Sequence, residues 1–225
     1  ADMILIPDAS TMRLVPWARE PTAQIIHDCH TMDGKAHPLA TRTVLRNILA
    51  LYAAEGLTPV VAPEVEFYLV SKNIDPDYVL VPPIGRSGRA ETSRMSYSID
   101  AVSEFEDFVE DMYDFAEMQE LQVDALIHEN GAGQMEINFE YGDPLSLADQ
   151  VFTFKRTVRE TAHKHGMYAT FMAKPMQNEP GSALHIHQSL VRSDSGENIF
   201  INAKGEHTAE FMSYIAGLQR YTPEL

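Results

Sequence analysis

Apolar positions change period several times along the chain, and each change predicts an element. Val44, Leu45, Ile48, Leu49 and Tyr52 recur at helical spacing, with Gly56 placed to cap the end. Residues 60–70 are β-rich. Phe105, Phe108, Val109, Met112, Phe115 and Ala116 form the apolar face of a second helix, expected to open at Asp100. Strands are expected over 122–128 and 134–140. Asp143-Pro144 then supplies an N-cap and an N1 proline for a long helix ending at His163-Lys164-His165-Gly166. Strands at 168–173 and 183–190 follow, and a last helix over roughly 208–220. The first thirty residues read as short strands, Met3–Ile6, Met12–Val15 and Ala23–Ile26, punctuated by Pro7, Pro16 and Pro21. Residues 31–38 are a turn-rich break. The stretch 71–94, with Pro76, Pro82, Pro83, Gly85 and Gly88, reads as a long loop, a kind that in compact domains is usually functional or mobile. Strands outnumber helices and cluster in pairs, which predicts an α+β fold with helices packed on one face of a sheet.

Charge and composition narrow the partners. Lys and Arg number 17 against 33 Asp and Glu in 225 residues, a formal charge of −16. A phosphate backbone calls for a basic surface, so nucleic acid is a poor partner. No apolar run approaches the ~18 residues of a membrane span. The start, Ala1-Asp2-Met3-Ile4-Leu5-Ile6-Pro7-Asp8, is acidic and broken by proline, unlike a signal peptide. The single cysteine, Cys29, allows no internal disulfide and reads as a small apolar filler. The expectation is an acidic cytoplasmic protein that handles cations or metals. Nine acidic and no basic residues lie between Asp100 and Leu121, a pattern that a solvated helix face explains.

Three segments carry chemistry. In Ala62-Pro63-Glu64-Val65-Glu66-Phe67 two glutamates sit two residues apart. In Gln134-Met135-Glu136-Ile137-Asn138-Phe139-Glu140, and again in Leu184-His185-Ile186-His187-Gln188-Ser189-Leu190, polar residues alternate with apolar ones. Strand side chains alternate between faces, so each segment presents its polar set on one side. If the strands share a sheet, Glu64, Glu66, Glu136, His185 and His187 converge, and Glu129, before the turn Asn130-Gly131-Ala132-Gly133, can reach them. A half-solvated strand also alternates, so alternation alone leaves a plain wetted face open. The residue types sharpen the choice, because facing glutamates repel unless cations lie between them. Oxygen-rich sites with one or two imidazoles suit Mg²⁺ or Mn²⁺ better than Zn²⁺. Two such ions can clamp a transferring phosphoryl group. Phosphate-loop, dinucleotide and serine-hydrolase motifs are absent from the sequence. His27, His30, His37, His163, His165 and His207 read as surface or turn residues; His128, beside Glu129, stays open.

These segments, in order, resemble the catalytic domain of the glutamine synthetase family. Asp2–Asp8 with Thr11, Pro16 and Trp17 looks like the end of that family's N-terminal β-grasp domain. Ala62–Phe67 looks like its paired-glutamate strand, and His128-Glu129-Asn130-Gly131-Ala132-Gly133-Gln134-Met135-Glu136 like its second metal-binding segment. Lys174-Pro175 with Gly181–Leu190 looks like its ATP-region signature. The resemblance implies a β-grasp remnant over 1–33 and a catalytic domain over 34–225, built on a largely antiparallel curved sheet with helices outside. It implies one metal on Glu66, Glu129 and Glu136 and a second on Glu64 and His185. It further implies ATP contacts from Asp124, His187 and Ser189, and backbone of Gly181 toward glutamate. The implied reaction phosphorylates the glutamate γ-carboxylate from ATP, and an amine then attacks the γ-glutamyl phosphate. The implied assembly is a homo-oligomeric ring, dodecamer-like.

Two departures matter. Pro180 stands where glutamine synthetases proper usually carry an asparagine that contacts glutamate, and proline offers neither side-chain amide nor N–H. The run Gly85–Phe139, including Ser93-Arg94-Met95-Ser96-Tyr97-Ser98-Ile99-Asp100, looks closer to the branch that joins glutamate to polyamines such as putrescine. The favoured expectation is therefore a γ-glutamyl–polyamine ligase. The alternatives are an ammonia-using glutamine synthetase and a non-catalytic structural or regulatory relative. By the family pattern, most of the β-grasp domain, the C-terminal arginines, a final metal-ligand glutamate and the acid/base residues would lie outside these 225 residues. The chain alone is then expected to turn over little.

Overall fold

The computed structural model describes residues 2–75, 77–91 and 94–224; Ala1, Pro76, Ser93 and Leu225, which entered the sequence reading, lie outside them. Its centre is one long strand, β5 (Leu57–Ser71). Before it come four short strands, β1 (Ile4–Pro7), β2 (Arg13–Leu14), β3 (Ala23–Gln24) and β4 (His27–His30), and helix α1 (Thr41–Ala54). After it come α2 (Ile99–Ser103), α3 (Glu106–Met118), β6 (Val123–His128), β7 (Gln134–Phe139), α4 (Pro144–Lys164), β8 (Met167–Thr170), β9 (Leu184–Arg192) and α5 (Ala209–Tyr221). The fold is α+β, as expected, and every pairing in the main sheet is antiparallel.

Register explains the sheet's plan. Tyr68 lies opposite both Gln134 of β7 and Thr170 of β8, and Glu64 opposite both Asn138 of β7 and His185 of β9. A strand has two edges, so β7 occupies one edge of β5 while β8 and β9 share the other, end to end. β6 pairs with the outer edge of β7. The β5–β7 ladder stops at Glu64, one residue after Pro63, whose nitrogen has no hydrogen to donate. Pairing resumes at Val61, which exchanges hydrogen bonds with Gly142.

The period of two sorts the faces. Val65, Phe67 and Leu69 of β5 and Met135, Ile137 and Phe139 of β7 are buried in the main core. Phe108, Met112 and Ala116 of α3 and Leu147, Phe154, Val158 and Ala162 of α4 cover that face. The even-numbered residues of both strands therefore point away from the helices.

Several expectations need correction. The helix expected from Asp100 is two helices. Ser98, not Asp100, caps the first, and the chain breaks at Phe105, whose backbone (φ −121°, ψ 29°) is not helical. The strand expected over Ala23–Ile26 is only β3, Ala23–Gln24, and β4 was not foreseen; it carries His27, which is exposed, and His30 in a strand, paired with Pro7 and Ile4. Asp143 and Gly56 act as read: Asp143 accepts from the Ser146 N–H at 2.8 Å, and Gly56 (φ +68°) follows α1 in the left-handed conformation.

Candidate active site

On the uncovered face, Glu64 lies opposite His185, and Glu66 opposite Glu136. Cross-strand partners share a face, so four acidic or imidazole groups meet across three neighbouring strands. Ligand atoms of Glu64, Glu136 and His185 lie within 4.8 Å of one another. His185 Nδ1 is 3.4 Å from a Glu64 oxygen and 3.9 Å from Glu66, and His187 Nε2 is 2.9 Å from the other Glu64 oxygen. Glu66 and Glu136 are nearly buried while both histidines are more than half exposed, so the cluster has a closed floor and an open mouth.

Glu66 is oriented by its neighbours. Its Oε2 accepts from Gln134 Nε2 at 2.7 Å and from the Ala183 N–H at 3.0 Å. Gln134 is itself buried and fully used: Nε2 also donates to the Gly181 carbonyl at 3.1 Å, and Oε1 accepts from the Gly131 N–H at 2.9 Å. Tyr68 donates to the Pro180 carbonyl at 2.7 Å. Gly181 packs so closely that a Cβ would lie 2.8 Å from the Ala173 carbonyl oxygen, which is why glycine stands there.

Electrostatics mark the cluster as short of positive charge. Among the described residues, no Lys or Arg forms an ion pair with Glu64, Glu66, Glu129 or Glu136. Burial, reinforced by Glu64, Glu129 and Glu66, pushes the Glu136 carboxyl up to about 7. Burial and the Glu66 charge push Glu129 up as well. A set of crowded oxygens with one imidazole suits a hard divalent cation, whose charge would relieve this repulsion.

The remaining sequence-read residues fall nearby or elsewhere. Ser189 shares the face of His185 but lies four residues, ~13 Å, along β9, where its hydroxyl accepts from Asn198. Asp124 is exposed on β6, beyond β7 and β5 from His187 and Ser189, and its charge reaches Tyr113 on α3. The structure does not bring it to the cluster. Gln134 and Tyr68 were not among the expected site residues, although both continue the even-numbered alternation that marks Glu64, Glu66 and Glu136.

Residues 38–225 match the family described as glutamine synthetase, catalytic domain. The chain belongs to the glutamine synthetase family. It is 36% identical to the gamma-glutamylputrescine synthetase PuuA of Escherichia coli over 210 residues, covering 91% of this chain and 44% of that protein. It is 33% identical to a glutamate–isopropylamine ligase of a Pseudomonas species, covering 100% of this chain and 48% of that protein. It is 32% identical to a glutamine synthetase of Halobacterium salinarum, covering 99% and 48%. The chain thus spans about half the length of the curated relatives it matches. Among solved structures it resembles apo GmaS (TM-score 0.84, 27% identity), covering 99% of this chain and 50% of that one. A Plasmodium falciparum glutamine synthetase shares the fold (TM-score 0.84, 20% identity), covering 98% and 47%. Among the described residues, no helix is long and apolar enough to cross a membrane.

Proposed function

We propose that the full-length protein is an ATP-dependent ligase that joins the γ-carboxylate of glutamate to an amine through γ-glutamyl phosphate, with a polyamine such as putrescine as the favoured acceptor. The observation that carries this is the register that sets Glu64 opposite His185 and Glu66 opposite Glu136, with no Lys or Arg among the described residues paired to them. Glu66, Glu129 and Glu136 would hold one Mg²⁺ or Mn²⁺, and Glu64 with His185 a second; Glu136 lies close enough to Glu64 and His185 to serve both. When bound, such ions neutralise phosphate charge and orient the attacking carboxylate. The chain's own residues supply the frame. Gln134 holds Glu66 and the Gly181 carbonyl in one fixed relation, so the glutamate-facing loop and the metal-facing strand cannot drift apart. His187 is held by Glu64 at the open mouth, where it would meet ATP, with Ser189 farther along the strand. No protein nucleophile is required, because the substrate carboxylate is the nucleophile.

Pro180 uses its backbone carbonyl to accept from Tyr68, so this position is occupied by a framework contact. Any residue could make that backbone contact; what proline removes is the side-chain amide, and this agrees with a substrate contact different from that of ammonia-using enzymes. The similarity to two ligases named for amines other than ammonia supports the same choice. The protein is read as a cytoplasmic ring-shaped homo-oligomer.

The test is phosphate release from ATP by the full-length protein with Mg²⁺ and glutamate, comparing putrescine, a monoamine, ammonia and no amine, with Glu136→Ala as control. Release driven by putrescine and lost in Glu136→Ala is expected. Preference for ammonia would make it a glutamine synthetase proper; no amine-dependent release would favour a non-catalytic relative.

A further inference from the structure

Most expected metal ligands stand on strands, but Glu129 stands in the β6–β7 turn. Its neighbours Glu66 and Glu136 repel it, so a strand ladder alone does not hold its carboxylate over the cluster. Groups from outside the hairpin tie this turn down. Glu91, from the loop that follows β5, places Oε1 2.9 Å from Nε2 of His128, and its Oε2 accepts from the Gly133 N–H at 2.5 Å. His128 is completely buried, and its Nδ1 lies 2.7 Å from the Glu129 carbonyl oxygen. Glu179, from the loop before β9, accepts from the Ala132 N–H at 3.1 Å. The Tyr97 N–H donates to the His128 carbonyl at 2.8 Å. One carboxylate, Glu91, thus contacts both arms of the turn, through a hydrogen bond to Gly133 and an ion-pair contact, without hydrogen-bond alignment, to His128.

We propose that Glu91 is a positioning residue for Glu129. By holding His128 on one side and Gly133 on the other, it fixes the backbone from which the Glu129 carboxylate reaches the cluster. Glu91 is not itself one of the expected metal ligands. The inference rests on the metal-site reading above.

The test titrates Mn²⁺ into the full-length wild type, Glu91→Ala and Glu91→Gln, following free Mn²⁺ by electron paramagnetic resonance. Glu91→Ala is expected to weaken one class of Mn²⁺ site by about 10–100-fold, the range for outer partners of metal ligands. The class built on Glu64 and His185 should change little. Glu91→Gln, whose carbonyl can still accept from Gly133, should recover part of the loss. Equal weakening of every site, or wild-type affinity in Glu91→Ala, would overturn the positioning role while leaving the metal site standing. Absence of Mn²⁺ binding by the wild type would overturn both. If Glu91→Ala does not fold, Glu91→Asp replaces it: it keeps the charge, is one methylene too short to span both arms, and should weaken the same site.

Discussion

Two groups of carboxylates in this molecule, one partly buried and one with a nearly buried floor, behave in opposite ways. Near the N-terminus, Asp8, Asp28 and Asp149 surround Arg42, at 2.9, 2.5 and 2.8 Å, and Arg46 adds contacts to Asp8 and Asp28. There the Ser10 hydroxyl and the Arg42 guanidinium hold the Asp8 carboxyl down at about 2. At the sheet face, Glu64, Glu66, Glu129 and Glu136 crowd together with no Lys or Arg partner among the described residues, and Glu136 is pushed up to about 7. The first set carries its own counter-charge and fastens β1 and β4 to α1 and α4. The second has no Lys or Arg counter-charge among the described residues, and the proposed divalent cation would supply it.

The sharpest way to break this contrast is to remove the cation. Arg42→Ala leaves three partly buried carboxylates with less compensation and should cost about 3 kcal/mol, measured by urea unfolding. Arg42→Lys should recover only part, because lysine cannot reproduce the paired bonds to both Asp149 oxygens. Next comes Glu136→Gln, expected to lower amine-dependent phosphate release by ~100-fold or more while raising the melting temperature of the metal-free protein. A drop in both would mean that Glu136 is a structural partner, and the contrast would fail.

Acid tests the first group separately. A carboxyl with a lowered folded pKa stabilises above its unfolded value, so the Asp8 contribution is complete above pH ~4 and disappears toward pH 2. After allowance for screening it is on the order of 1 kcal/mol, and an Asp8→Asn variant should show a flatter stability profile over that window. The smallest effect is expected from Tyr68→Phe, which removes the bond to the Pro180 carbonyl. It should cost ~1 kcal/mol and raise KM for glutamate more than it lowers kcat. An unchanged KM would separate Pro180 from the substrate.

Much of the carboxylate–histidine cluster was legible in the sequence. Glu64, Glu66, Glu136 and His185 announce themselves through strict alternation, and period two leaves a strand residue only two faces to choose between. Gln134 and Tyr68 obey the same parity, so extending that rule would have found them. Glu91 carried no such signal: it sits in a loop without period, and its value lies in reaching His128 and Gly133, both distant in sequence. The break between α2 and α3 was hidden because Phe105 kept the apolar spacing of a helix while leaving helical backbone geometry.

What the sequence determined by itself is therefore the set of polar faces, the long helix with its Asp143 cap, and the residue types that seek a divalent ion, since these follow from local periodicity and side-chain chemistry. Only the tertiary structure decided which strands lie side by side, that Glu66 faces Glu136 rather than another carboxylate, and that two loops converge on one turn. Register and loop contact depend on long-range pairing, which no local pattern encodes.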